Sequence, residues 1–169
     1  HRAAHWMLQS PWRRLGRVYP RFPEYQAIGR LIARRQRRQF TEDMMRQVLS
    51  LAAFDRHVQL QNDGSVSCVI GDGYGVLSSL LLLAHPRRKV ILVNLRKTLS
   101  ADVAFLSAAV PDANVALVRS AAEMKDALMA PEVRAIAVQA DDAAALLTAP
   151  ISAAFNACSM QEMTPAIIA

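Results

Sequence analysis

From residue 66 to residue 158 the chain alternates two patterns: short continuous apolar runs, and longer stretches in which apolar residues recur every three or four positions. The first pattern predicts buried strands and the second predicts helices packed on them. Strands are expected at residues 67–70, 90–95, 114–118, 134–140 and 151–158. Helices are expected over Val76–Ala84, where His85-Pro86 stops the chain, over residues 100–110 capped by Ser100, from the capping box Ser120-Ala121-Ala122-Glu123 to before Pro131, and over residues 142–148. A strand, a helix and a second strand within about 30 residues form a βαβ unit. Its continuation predicts an α/β fold, a Rossmann-like doubly wound and mostly parallel sheet.

The first third of the chain is patterned differently. Pro11, Gly16, Pro20 and Pro23 predict an irregular lead-in over residues 1–23, anchored by Trp6, Trp12, Tyr19 and Phe22. A helix then starts at Glu24, with Tyr25, Ile28, Leu31 and Ile32 on one face and Arg30, Arg34, Arg35, Arg37 and Arg38 covering the rest. Thr41 caps a second helix whose apolar stripe is Met45, Val48, Leu49, Ala52 and Ala53, ending before Asn62-Asp63-Gly64. The chain therefore divides into a basic helical region, residues 1–62, and a Rossmann-like domain, residues 63–169. It begins on His1 and stops inside the apolar segment Pro165-Ala166-Ile167-Ile168-Ala169, so it reads as a piece of a longer protein with its sheet incomplete at the C-terminus.

Charge sharpens this division. Residues 1–60 hold 12 of the 20 Lys and Arg against 4 acids, a balance of +8, whereas the remainder is slightly acidic. The run Arg34-Arg35-Gln36-Arg37-Arg38 suits either a solvated helix C-terminus, where cations meet the helix dipole, or an anion site. Crowded at one helix end without aromatic residues between them, these arginines predict no specific nucleic-acid partner. No apolar run reaches the ~20 residues of a membrane span, and no signal peptide is recognisable, which places the protein in the cytoplasm. Cys68 and Cys158 sit in apolar strand-like stretches as reduced, buried thiols, and no metal-ligand set is recognisable.

The candidate chemistry centres on Ser67-Cys68-Val69-Ile70-Gly71-Asp72-Gly73-Tyr74-Gly75-Val76-Leu77, a strand running through three alternating glycines into a helix. Glycines at such a turn admit close approach of a ligand, and the helix start offers unpaired N–H groups. A dinucleotide fingerprint has its third glycine three residues after the second, where this chain has Val76, so the spacing suits a methyltransferase better. Asn94 and Leu95 end the second strand at the ribose position. Asn94 reads as a ribose contact or as a plain strand end, and Asp141 as an adenine contact or a helix cap.

Three segments together carry a resemblance. Val69-Ile70-Gly71-Asp72-Gly73-Tyr74-Gly75, Val93-Asn94-Leu95-Arg96-Lys97-Thr98-Leu99 and Phe155-Asn156-Ala157-Cys158-Ser159-Met160-Gln161-Glu162-Met163 resemble a family of sugar O-methyltransferases within the S-adenosylmethionine-dependent, Rossmann-like methyltransferases. The resemblance covers roughly residues 65–165, and its strand order implies that Cys68 and Cys158 lie on neighbouring strands near the centre of the sheet. It implies S-adenosylmethionine as cofactor, with Gly71, Asp72, Gly73, Tyr74 and Gly75 at its methionine part, Asn94 and Leu95 at the ribose, Asp141 at the adenine and Asn156 near the methyl group. It implies a sugar or glycan hydroxyl as acceptor, Glu162 as the base, and Gln161 and Ser159 orienting the acceptor. Glu162 reads equally as a carboxylate at a helix N-terminus. Two departures stand out: Val69 and Asn94 occupy positions where many methyltransferases carry acids. The alternative from another class is a non-catalytic Rossmann-like module that binds a nucleotide or a partner, with basic N-terminal helices touching an anionic glycan or nucleic acid.

Overall fold

The computed structural model describes residues 7–156. It consists of two compact units, residues 1–61 and 62–169. No helix among the described residues is long and apolar enough to cross a membrane.

The first unit is helical. The expected irregular lead-in instead contains a short helix, α1 (Ser10–Gly16), because Pro11 falls in the first turn, where its missing N–H costs nothing. Trp12 donates to Glu42 Oε1 at 3.0 Å and Phe22 is buried, whereas Trp6 lies outside the described residues. Helix α2 (Phe22–Arg35) starts two residues before Glu24 and buries Phe22, Tyr25, Gly29, Ile32 and Ala33. Thr41 Oγ1 accepts from Met44 N at 3.3 Å and caps α3 (Glu42–Val58), as expected. The buried stripe of α3 is Met44, Met45, Val48, Leu51 and Ala52. A buried carboxylate ties the unit together: Asp55 Oδ2 accepts from Arg21 Nη1 and Tyr25 Oη, each at 2.9 Å, and its Oδ1 accepts from Leu60 N at 2.8 Å. Burial and that carboxylate hold the Tyr25 hydroxyl well above its ordinary pKa.

The second unit is an α/β sandwich around five parallel strands: β1 (Val66–Ile70), β2 (Lys89–Asn94), β3 (Val115–Val118), β4 (Ala135–Gln139) and β5 (Ile151–Asn156). Their order is β3-β4-β2-β1-β5. The glycine-bearing strand therefore lies beside the one ending in Asn156, the adjacency that the resemblance implies, but not at the expected place near the centre of the sheet. β5 is the edge among the described strands, and Cys158 itself lies outside them. Cys68 is buried and free.

Helices α4 (Val76–Ala84) and α5 (Arg96–Ala109) pack together against β2, while α6 (Ala121–Met129) packs with the 3-10 helix Ala140–Thr148. One sheet face presents Val66, Cys68, Ile91, Val93, Ile136 and Val138 to Met124, Ala127 and Ala145. The alternate positions Val69, Val90, Leu92, Ala135 and Ala137 are also buried. A sheet covered on both faces is why its strands read as unbroken apolar runs. Leu80, Leu81 and Leu82 of α4 are fully buried, each stabilising the fold by roughly 1.5–3 kcal/mol.

Several boundaries differ from expectation. α5 begins at Arg96 and not at Ser100, because extended Leu95 starts it without a side-chain cap, and Ser100 Oγ bonds back to Arg96 O at 3.0 Å inside the helix. In the capping box of α6, Ser120 Oγ accepts from Glu123 N at 3.3 Å, but the Glu123 carboxylate reaches one residue further back, to Arg119 N at 2.7 Å. The expected short helix at 142–148 is a 3-10 helix starting at Ala140.

Arg88 and Lys89, at the start of β2, are structural. Arg88 is 3% exposed and donates to Ser67 Oγ at 2.8 Å and Ser152 Oγ at 2.6 Å, which ties together the N-terminal ends of β1 and β5. Lys89 Nζ donates to the carbonyls of Ala127 and Ala130 at the end of α6. Its charge meets the negative end of that helix.

Candidate functional site

Parallel pairing aligns the carboxyl ends of the strands along one edge. Ile70 is paired with Val93 on one side and Asn156 on the other, and Asn94 is paired with Gln139. The ladder runs one residue further, through Gly71 N to Val93 O at 2.9 Å. This register brings the glycine turn, Asn94, Leu95, Asp141 and Asn156 to the same edge of the sheet. The chain goes from β1 to β2 on one side and returns to β5 on the other, so the turn lies at a topological switch point, where ligands of open α/β sheets bind.

The turn itself is unusual. Gly71, Gly73, Tyr74 and Gly75 all have positive φ, at 68°, 55°, 68° and 60°. For Tyr74 this left-handed conformation costs about 1–2 kcal/mol. An edge-on contact with Phe105 of α5, centroids 5.1 Å apart, helps hold the half-exposed tyrosine ring. The glycines serve different ends. A Cβ on Gly75 would sit 2.6 Å from the Asp102 carbonyl oxygen, so this glycine lets α5 approach the turn. A Cβ on Gly73 would meet nothing within 4 Å, so that glycine faces open space.

Asp72 takes a different place from the one expected of a ligand contact. It is 4% exposed, and its carboxylate accepts from Leu77 N and Ser78 N, both at 2.8 Å. These are the second and third amides of α4, the donors that would otherwise receive a phosphate. Burial, with a smaller contribution from the nearby Asp102 carboxylate, pushes the Asp72 pKa up to about 6, against the opposing effect of the two amides.

Asp102 is the residue that sequence reasoning missed. It is 1% exposed in the middle of α5, on the same face as Leu99, Leu106 and Ala109. Its Oδ2 accepts from Asn94 Nδ2 at 2.8 Å, and its Oδ1 has no hydrogen-bond partner among the described residues. Burial raises its pKa, while Asn94 and the amides of Tyr74 and Gly75 favour its charged form. The available signal was an acid placed on the apolar stripe of an amphipathic helix, a position that demands a partner.

The other predicted residues are partly engaged. Asn94 spends one amide N–H on Asp102 and accepts from Leu95 N at 2.9 Å, which leaves its second N–H to offer. Leu95 is largely exposed and starts α5. Asp141 is not a helix cap. It accepts from Gln139 Nε2 at 2.8 Å, and Gln139 Oε1 in turn accepts from Arg96 Nε at 3.1 Å. Asn156 closes β5 beside Ile70. Ser159, Gln161 and Glu162 lie outside the described residues.

The edge therefore combines an open glycine turn, two buried carboxylates beneath it, and side-chain amides on either side. With the second and third amides of α4 already bonded to a carboxylate, those donors are not left open to a phosphate. Comparison with protein-family models, with curated proteins and with solved structures returned no match to this chain.

Proposed function

We propose that this chain is the S-adenosylmethionine-binding part of an O-methyltransferase acting on a sugar or glycan hydroxyl. The observation that carries the reading is the occupation of the α4 amides by Asp72 at a glycine turn placed at the switch point. A dinucleotide would bring its pyrophosphate to those amides and meet a carboxylate. S-Adenosylmethionine has no phosphate and carries positive charge, which suits Asp72 and Asp102 beneath the turn. The open space over Gly73 fits the close approach of such a ligand. The sugar acceptor is supported by the likeness of residues 155–163 to the corresponding segment of sugar O-methyltransferases.

In this reading Gly71, Gly73 and Gly75 shape the backbone against the methionine part, and Asn94, held by Asp102, offers its remaining N–H to a ribose hydroxyl. Asp141 stands at the adenine end of the edge, and Asn156 lies across the turn from Asn94. The cofactor supplies an activated methyl group. The chain's own task is to align an acceptor hydroxyl in line with it and remove the proton. Glu162, six residues after the end of β5, is the proposed base, with Gln161 and Ser159 orienting the acceptor.

Calorimetric titration with S-adenosylmethionine, S-adenosylhomocysteine and NAD tests the reading. Binding of the first two and not of NAD is expected. Binding of NAD alone, or of none of the three, would sink it.

A further inference from the structure

The arginine run of the first unit is sorted by its backbone. α2 ends with Arg37 in the left-handed region, φ 55°. Arg37 N then bonds to Arg34 O at 3.0 Å and Arg38 N returns to Ala33 O at 2.8 Å. This closure folds the chain back over the last turn of the helix. Arg38 thereby joins Arg30 and Arg34, which lie one helical turn apart, in lining a recess of about 700 Å³ together with Gln26, Gln39 and Phe40. Arg35 and Arg37 do not line it. A second recess of about 380 Å³ shares Pro23 and Gln26 with the first and is lined by Arg13 and Arg17.

Among the described residues no carboxylate lines either recess. The acids of this unit are held elsewhere: Glu24 and Asp55 by Arg21, Glu42 by Trp12, and Asp43 by Gln47. The guanidinium groups of Arg30 and Arg34 are exposed and have no hydrogen-bond or ion-pair partner among the described residues. Five arginines thus border two adjoining hollows, and Arg30 and Arg34 among them face no group of opposite charge among the described residues.

We propose that these adjoining recesses form a binding groove for an acidic glycan, a linear sugar chain bearing carboxylate or sulfate groups. Every basic residue in residues 1–61 apart from His is arginine, whose planar fork pairs bidentately with such anions. The amides of Gln26 and Gln39 suit sugar hydroxyls. A nucleic acid fits less well. A duplex is read by elements that protrude into its grooves, and these arginines border hollows. A single strand needs free aromatic faces for its bases. Here Arg56 covers Tyr19 at 6.0 Å, Phe22 is buried, and Phe40 packs on Gly29, where a Cβ would come within 2.9 Å of its ring. The proposal stands on this unit alone and does not depend on methyl transfer.

The test uses the full chain at physiological salt, with fluorescently labelled oligogalacturonate and a heparin-derived hexasaccharide as acidic probes. Maltohexaose, a dT12 strand and a twelve-base-pair duplex serve as comparisons. Both acidic sugars are expected to bind, the neutral one not, and the nucleic acids more weakly than either. The double variant Arg30→Gln/Arg34→Gln should lose roughly tenfold in affinity, since it removes two bidentate partners. Arg14→Gln/Arg37→Gln removes the same charge from exposed residues outside both recesses and should stay within about twofold. Equal weakening by the two pairs would reduce the effect to net charge and overturn the groove. Tighter binding of either nucleic acid, equal binding of maltohexaose, or no binding of the acidic sugars would overturn the glycan assignment.

Discussion

Replacing Gly75 and Gly73 by alanine, one at a time, separates a glycine needed for packing from one facing a ligand. Both residues have left-handed φ, +60° and +55°, so each substitution carries a conformational cost of about 1–2 kcal/mol. At Gly73 that is the whole cost, because the new methyl group meets nothing within 4 Å. At Gly75 it would lie 2.6 Å from Asp102 O, 3.1 Å from Leu106 Cβ and 3.3 Å from Leu106 N. Backbone atoms cannot rotate away as a flexible side chain would, so the turn or α5 must shift, adding about 1–3 kcal/mol. Gly75→Ala should therefore cost about 2–5 kcal/mol and Gly73→Ala about 1–2 kcal/mol, read from urea midpoints at unchanged slope. Equal losses for the two variants, or a loss below about 1 kcal/mol for Gly75→Ala, would refute the claim that the turn is clamped against α5.

Gly73→Val should abolish calorimetric binding of S-adenosylhomocysteine while leaving the circular dichroism spectrum of the fold, since its side chain fills the open space over the turn; parental affinity would make the turn purely structural. Burial raises the Asp72 pKa to about 6 in the folded protein from the 3.8 of a solvated aspartate, so its ionisation opposes folding as pH rises between those values, and the stability it contributes at low pH is lost through about pH 6. The stability difference between Asp72→Asn and the parent should accordingly move in the variant's favour, by up to about 3 kcal/mol, from pH 4 to pH 7. A difference independent of pH would contradict the burial of that charge. Cys68, whose thiol burial pushes up to about 11, should resist alkylation in the native protein and react once urea unfolds it, as followed by peptide mass spectrometry.

The alternation of strands and helices was legible because a sheet covered on both faces needs continuous apolar strands, and helix Val76–Ala84 is bounded by a glycine and by His85-Pro86. The start of α5 was not, because extended Leu95 opens that helix with no capping side chain, while Ser100 offered a plausible but unused cap. Asp72 was singled out as a ligand contact in the turn, yet its carboxylate bonds Leu77 N and Ser78 N, a local pairing that depends on the positive φ angles of the glycine turn. Asp102 lay outside every motif, 27 residues beyond Gly75 in the chain, so only tertiary contact reveals it beneath the turn. In the basic run, spacing alone could not separate Arg34 and Arg38 from Arg35 and Arg37, because the reversal at Arg37 decides which of them share a recess.

The strand order has a consequence for how the second unit is made. β3 leaves the ribosome before β4, yet its only partner among the described strands is β4, which also separates it from β2. A nascent chain ending near residue 133 holds a β1–β2 pair and an unpaired β3, with the place between them vacant. β4 must insert there and complete two ladders at once, so the hydrogen-bonding edge of β3 that faces it stays unpaired until residue 139 has emerged. Synthesis halted within that window would leave an open strand edge, the kind of intermediate that pairs with other chains.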